Sequence, residues 1–150
     1  MINIKQELLA HCHQWVDDLM TSAQTAIQEL QDAANAETKS SAGDKYETGR
    51  AMAQLEIEKS TAQLHQAGKL KKALHQISIE SKHTQIGLGS LVVTEHGRFF
   101  LSISAGNVSI EGQEYVCLSP VSPLGEAMTG LKAGEGIEFN SRQWKILSID

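Results

Sequence analysis

Histidine and cysteine side chains are the first candidates for chemistry in this 150-residue chain. Residues 11–13, HCH, offer three metal-ligating side chains in a row, but neighbours on a helix with about 3.6 residues per turn point about 100° apart. We therefore predict that they do not converge on one zinc ion, and that Cys12 lies in an apolar helix seam. The remaining histidines show no ligand spacing: His65, His75, His83 and His96.

The sequence contains no phosphate-binding glycine loop, nucleophilic serine elbow or cysteine–histidine pairing. We therefore do not expect an enzyme with catalytic residues of its own.

A second set of candidates lies in NAETKSSAGDKYETGRA, residues 35–51, which has no aliphatic side chain larger than alanine. Its acids are Glu37, Asp44 and Glu47, and its other notable side chains are Lys39, Lys45, Tyr46 and Arg50. Carboxylates at helix ends are commonly solvated, and Asp44 is well placed to cap a helix that starts there. Tyr46 is expected to pack across two helices. The segment therefore predicts a turn between helices.

Apolar spacing predicts the elements on either side of this turn. The first stripe advances by three or four residues, as on a helix: Leu8, Cys12, Trp15, Leu19, Ala23, Ala26, Leu30 and Ala33. A second, less regular stripe comprises Ile57, Leu64, Leu70, Leu74 and Ile77. Two helices that fold back on each other bury both stripes. We predict a long antiparallel coiled-coil hairpin over residues 1–80, with its first helix at 3–35 and its tip at about 37–47.

The composition changes near residue 80, since nine of the 12 glycines and both prolines follow it. Strands are predicted at 86–94, 98–104, 107–110, 114–118, 136–140 and 143–149. One short helix is expected after Ser122, with Pro123 in its first position and Gly130 ending the turn. The predicted fold is α+β, with a small antiparallel β domain over residues 81–150.

Charge and composition restrict the partners and the compartment. The net charge of −5 gives no basic face, so direct DNA binding is not expected. Apolar runs such as LVV at residues 91–93 are too short for a signal peptide or a membrane helix. Cys12 and Cys117 are far apart and form no CxxC motif, which favours a reducing compartment. We expect a cytoplasmic protein that does not contact a membrane.

Three segments carry a resemblance to a known family. They are SPLGEAMTGLKAGE at residues 122–135, GLGSLVVTEHGRFFLSIS at 87–104 and AGDKYETGRAMAQLE at 42–56. Together with the predicted hairpin, they resemble the bacterial transcript-cleavage factors of the GreA/GreB type. Tyr46 matches the tyrosine that anchors the family's tip motif.

The resemblance implies an FKBP-like β domain at the mouth of the secondary channel of RNA polymerase, and a hairpin whose tip enters that channel. It implies tip carboxylates that help the polymerase hold a second Mg²⁺ during cleavage of the RNA 3′ end, with only indirect contact to nascent RNA and no cofactor of its own. The corresponding candidates are Asp44 as the shared Mg²⁺ ligand, with Glu37 and Glu47. The partner-binding candidates are Lys39, Lys45, Tyr46 and Arg50.

This chain departs from the family at its acidic positions. The family's two functional acids precede the tyrosine by seven and four positions, where this sequence has Lys39 and Ala42. A regulator that occupies the channel without stimulating cleavage is therefore an alternative. A coiled-coil adaptor unrelated to transcription is another.

Overall fold

A computed structural model of the chain describes residues 3–37 and 43–150, with side chains for residues 3–36 and 47–150. Two long helices come first, α1 at Ile4–Glu37 and α2 at Gly43–His75. The elements that follow are β1 Leu91–Thr94, β2 Gly97–Leu101, β3 Gly106–Ile110, β4 Gln113–Leu118, α3 Pro123–Met128, β5 Gly136–Phe139 and β6 Arg142–Ile149. The predicted α+β class is confirmed.

The chain divides by its internal packing into two compact units. We call Met1–Trp15 together with Lys72–Asp150 the sheet unit, and Val16–Lys71 the helix unit. Helix α1 begins in the sheet unit and α2 ends in it. The sequence prediction divides the chain near residue 80, where the composition changes. The two compact units instead divide it within the helices, so the sheet unit includes the start of α1 and the end of α2.

Within the helix unit, α1 and α2 run antiparallel. Lys71 on α2 donates a hydrogen bond to Asp17 on α1 at 2.8 Å. Further along α1, Gln28 and Asn35 line one groove together with Arg50 of α2. Residue numbers on α2 therefore fall as those on α1 rise, and the predicted antiparallel pairing is confirmed.

Burial on α1 differs from the predicted stripe. Leu8, Cys12 and Val16 are fully buried, whereas Trp15 and Leu19 are 41% and 43% exposed. The prediction is wrong at Trp15 and Leu19, and also at Ala33, which is exposed. The next buried residue after Cys12 is Val16, four positions later, whereas the predicted stripe continues with Trp15, three positions later.

On α2, the buried positions form a more regular seam than the sequence indicates. Ser60, Ala67 and Leu74 are buried and lie seven residues apart, which is the heptad spacing of paired helices. Ile57 and Leu64, two of the predicted stripe residues, are half-buried. The predicted stripe omits Ser60, whose polar side chain gives no apolar signal, and it also omits Ala67.

The six strands form one mixed sheet in the order β3-β4-β2-β1-β6-β5. β2 and β4 run parallel, with Phe100 opposite Cys117, and the other neighbouring strands pair antiparallel. The wholly antiparallel sheet expected from the sequence is wrong at this pair. β4 lies between β2 and β3, so the short link at residues 102–105 does not form a hairpin.

Elements of the sheet unit cover both faces of this sheet. On one face, Met128 of α3 packs in a cluster with Val92, Phe99 and Ile146. Side chains alternate along a strand, so Phe100 points to the opposite face. On that face, the buried Cys12 of α1 contacts Ser102, with 3.3 Å between sulfur and oxygen. The start of α1 is therefore anchored on the sheet.

Capping and turn residues explain where α3 begins and where β3 turns into β4. Ser122 caps α3 by accepting a hydrogen bond from the Gly125 backbone nitrogen at 3.2 Å, and Pro123 is the first helical residue. The β3–β4 turn at Glu111–Gly112 has positive φ at both residues, as a two-residue hairpin requires. The predicted strand at 86–94 is too long, because β1 begins only at Leu91.

Candidate functional site

The described end of the helix pair carries two of the predicted site residues with defined side chains, Glu47 and Arg50. Both are exposed. They lie three residues apart on α2, so they share one face of the helix. Together with Ala51 and Gln54 they line a shallow depression of about 480 Å³. One anionic and one cationic side chain are therefore accessible on the same face of α2.

The other predicted tip residues are located by their backbone alone or not at all. Glu37 is the last residue of α1, and Asp44, Lys45 and Tyr46 lie in the first turn of α2. Lys39 lies outside the described residues. α2 begins at Gly43, so Asp44 lies inside the helix and not ahead of it as a cap. A carboxylate there still favours the positive end of the helix dipole.

A groove between α1 and α2 adjoins this surface. It has a volume of about 450 Å³, and the residues that line it are Gln28, Gln31, Ala34, Asn35, Arg50, Gln54 and Ile57. Four of these side chains are amides, which both donate and accept hydrogen bonds. The groove is therefore suited to polar contacts with a partner, and the sequence reasoning missed it because it needs both helices.

Metal-ligating side chains form no group of three or more in the described part of the chain. No three histidine, cysteine, aspartate or glutamate side chains there lie close enough together to hold an ion. An Mg²⁺ ion bound with the help of Glu47 would therefore need ligands from a partner or from the undescribed tip.

The exposed apolar side chains are a further feature that the sequence reasoning missed. Val121 is 78% exposed in the turn before α3, and Met52 and Leu55 on α2 are 64% and 65% exposed. The aromatic side chains of Phe99, Phe100 and Tyr115, in contrast, are buried. The available signal for Val121 was its position between Pro120 and Pro123, outside any strand.

The two cysteines form a buried pair in the sheet unit. The interaction between the two thiols lowers the pKa of Cys12 and raises the pKa of Cys117. Both side chains are buried and reduced. Cys12 is buried, as predicted, and its contact with Ser102 places it against the sheet.

The described helices include none that combines the length and apolar character needed to cross a membrane.

Comparisons with known proteins give two similar solved structures. One is the crystal structure of GreA factor homolog 1 (Gfh1) of Thermus thermophilus, 20% identical over 90% of this chain and 94% of that chain, with a TM-score of 0.33. The other is a structure of the transcription factor Gfh1, 21% identical over 94% of this chain and 92% of that chain, with a TM-score of 0.32. No protein-family model matches the chain, and no curated protein matches it either.

Proposed function

We propose that this chain is a Gre-like elongation factor that binds RNA polymerase and inserts the end of its helix pair into the secondary channel. The observation that carries this proposal is the antiparallel pairing of two helices of 34 and 33 residues. Each helix is about 50 Å long at about 1.5 Å per residue, which is enough to reach an active site several nanometres inside a partner. The pairing brings the last residue of α1, Glu37, and the first turn of α2, with Asp44, to the same end.

The chemistry proposed for that end is assistance to the polymerase. A carboxylate delivered to a partly filled two-metal site completes the coordination that activates water for phosphodiester hydrolysis. Asp44 is the leading candidate for this ligand, supported by Glu37 or Glu47. Any Mg²⁺ and all other catalytic groups belong to the polymerase, so the chain itself is not an enzyme and carries no cofactor. Nascent RNA is contacted only indirectly.

The two units divide the work of binding in this proposal. In the helix unit, Arg50 and the amide groove offer polar contacts to the channel, together with Lys39, Lys45 and Tyr46 at the tip. In the sheet unit, the exposed Val121 offers an apolar contact to the outer surface of the polymerase. With a net charge of −5, the chain does not bind DNA directly, and it works in the cytoplasm.

One observation favours a second candidate, a secondary-channel regulator that does not stimulate cleavage. The two positions that carry acids in the family are Lys39 and Ala42 here. A lysine at such a position repels Mg²⁺ instead of binding it. A hairpin of this kind would occupy the channel and slow the polymerase without shortening the RNA.

The deciding experiment uses a purified polymerase complex that has backtracked on its template. We expect the wild-type chain to bind the complex and to accelerate shortening of the RNA 3′ end. The Asp44→Ala variant is expected to bind equally well but to lose most of the acceleration. Glu58→Ala, which removes an exposed carboxylate further along α2, is the matched control and should behave as wild type.

Other outcomes separate the alternatives. Binding without shortening would support the non-cleaving regulator. Absence of binding would reject both and leave an adaptor that acts outside transcription.

A further inference from the structure

Two histidine rings face each other across α1 and α2 in the sheet unit. His13 lies on α1, and His75 is the last residue of α2. Their ring centroids are 5.3 Å apart, and the ring planes are inclined by 53°. This pair was missed in the sequence because ligand spacing was sought only along single segments.

The separation of the rings matches that of two imidazoles bound to one ion. A Zn–N bond is about 2.0–2.1 Å long, and the ring centroid lies roughly 1.2 Å behind the ligating nitrogen. For a tetrahedral ion, the two centroids would then be roughly 5.2 Å apart. The observed centroid separation of 5.3 Å is close to this value.

The backbone at both histidines is firmly held. Cys12, directly before His13, is fully buried, and Leu74, directly before His75, is 1% exposed. The rings themselves are accessible, because His13 is half-buried and His75 is exposed. A pair of ligands on fixed helical positions loses little conformational entropy when it binds an ion.

Two imidazoles select for a particular class of ion. Neutral imidazole suits Zn²⁺, Ni²⁺ and Cu²⁺, whereas Mg²⁺ and Ca²⁺ prefer oxygen ligands. Water would fill the remaining coordination positions, as it does in open metal sites. The Mg²⁺ ions of a polymerase active site would therefore not compete for this pair.

We propose that His13 and His75 form a binding site for one late first-row divalent cation, with Zn²⁺ as the probe, which ties the first part of α1 to the end of α2. The proposal is independent of the polymerase function, because it uses neither the tip nor a partner protein.

The test is a calorimetric titration of the full-length chain with ZnCl₂ after removal of metals with a chelator. We expect one Zn²⁺ per chain, with a dissociation constant on the order of micromolar because the protein supplies only two ligands. His13→Gln and His75→Gln should each weaken binding by about tenfold or more, because each removes one of the two ligands. Thermal unfolding with Zn²⁺ should show a raised midpoint for the wild type and no change for the double variant.

His65→Gln is the matched control, since His65 is another exposed histidine of α2. It should bind Zn²⁺ within about twofold of the wild type if the cross-helix pair is the site. Circular dichroism of all variants should be unchanged, because the substituted rings are not core residues.

Three results would overturn the proposal. They are no binding by the wild type at about 1 mM Zn²⁺, binding by either single variant that equals that of the wild type, and a Zn²⁺-dependent dimer in sedimentation that holds the ion between chains.

Discussion

The sheet unit and the helix unit bury very different side chains. The sheet unit has large residues in its core, including Leu8, Leu74, Phe100 and Ile146, each 0–1% exposed. Among the described residues of the helix unit, the buried side chains are Val16, Ala23, Ser60 and Ala67. None of these is larger than valine.

The difference in the size of the buried side chains indicates which unit contributes more to the stability of the fold. Burial of a large apolar side chain contributes roughly 1.5–3 kcal/mol, so most of the hydrophobic stabilisation lies in the sheet unit. The helix unit gains less from burial, and a groove lined largely by amide side chains lies between its helices. A well-packed unit for docking and a polar pair of helices for insertion are what the proposed function needs.

The largest expected effect tests the sheet unit. Phe100→Ala removes a fully buried ring and should lower the free energy of unfolding by about 3–5 kcal/mol, measured by urea denaturation. Phe100→Leu, which keeps much of the volume, should cost less.

The matched comparison is Ile57→Ala in the helix unit, where the side chain is only half-buried. Its cost should be about 1 kcal/mol, because less apolar surface leaves water on folding. If Phe100→Ala and Ile57→Ala lowered the free energy of unfolding by the same amount, burial in the sheet unit would not contribute more than burial in the helix unit.

A second prediction concerns α3, which covers one face of the sheet. A Cβ added at Gly125 would overlap the backbone oxygen of Ser119, which cannot move freely. Gly125→Ala should therefore cost about 1–3 kcal/mol of stability through overpacking.

The control for this substitution is Gly87→Ala. Gly87 has open space around its added Cβ, so the change should be nearly neutral. A neutral result at Gly125 would show that the turn before α3 adapts easily.

A smaller effect is expected from pH. Burial and the nearby Lys5 cation lower the pKa of His83, while Asp150 partly opposes them. As pH falls below the usual value of about 6.5, the unfolded chain binds a proton before the folded chain does. Stability should therefore decrease as pH drops through this window, and His83→Gln should flatten the decrease in urea denaturation series. An unchanged slope in the variant would assign the pH dependence to other groups.

The smallest effect is expected for the ion pair between Lys71 and Asp17 in the helix unit. Their side chains are 26% and 52% exposed, so Lys71→Met should change stability by only about 0.2–1 kcal/mol. The difference should shrink further at high salt, because exposed charges are screened. A loss above 2 kcal/mol would mean that the helix unit depends on this pair more than its exposure indicates.

Local chemistry accounts for the part of the fold that could be predicted from the sequence. Ser122 and Pro123 mark the start of α3, and the turns at Glu111–Gly112 and Asn140–Ser141 end their strands where polar and glycine residues occur. Each of these features depends on a few consecutive residues.

The rest depends on partners distant in sequence. Nothing in β2 or β4 alone indicates that they pair in parallel, and nothing in α1 alone indicates that Val16 is buried and Leu19 is not. Lys5 is 3% exposed because its amine donates a hydrogen bond to the Ser81 carbonyl at 2.9 Å, which no helix pattern predicts.

The candidate site also has one part that local sequence predicts and one part that depends on residues distant in sequence. Its charged residues could be found from composition, since Glu47 and Arg50 stand in a segment without large aliphatic side chains. The amide groove could not be found, because it joins α1 residues such as Gln31 to α2 residues such as Gln54.

The most direct test of the central claim is photo-crosslinking from the end of the helix pair. A benzophenone side chain at position 47, exposed in this structure, would be irradiated in a complex of the full-length chain with core RNA polymerase. The account predicts crosslinks to polymerase segments that line the secondary channel near the catalytic Mg²⁺. Crosslinks confined to the outer surface of the polymerase, or none from a complex that forms stably, would contradict it.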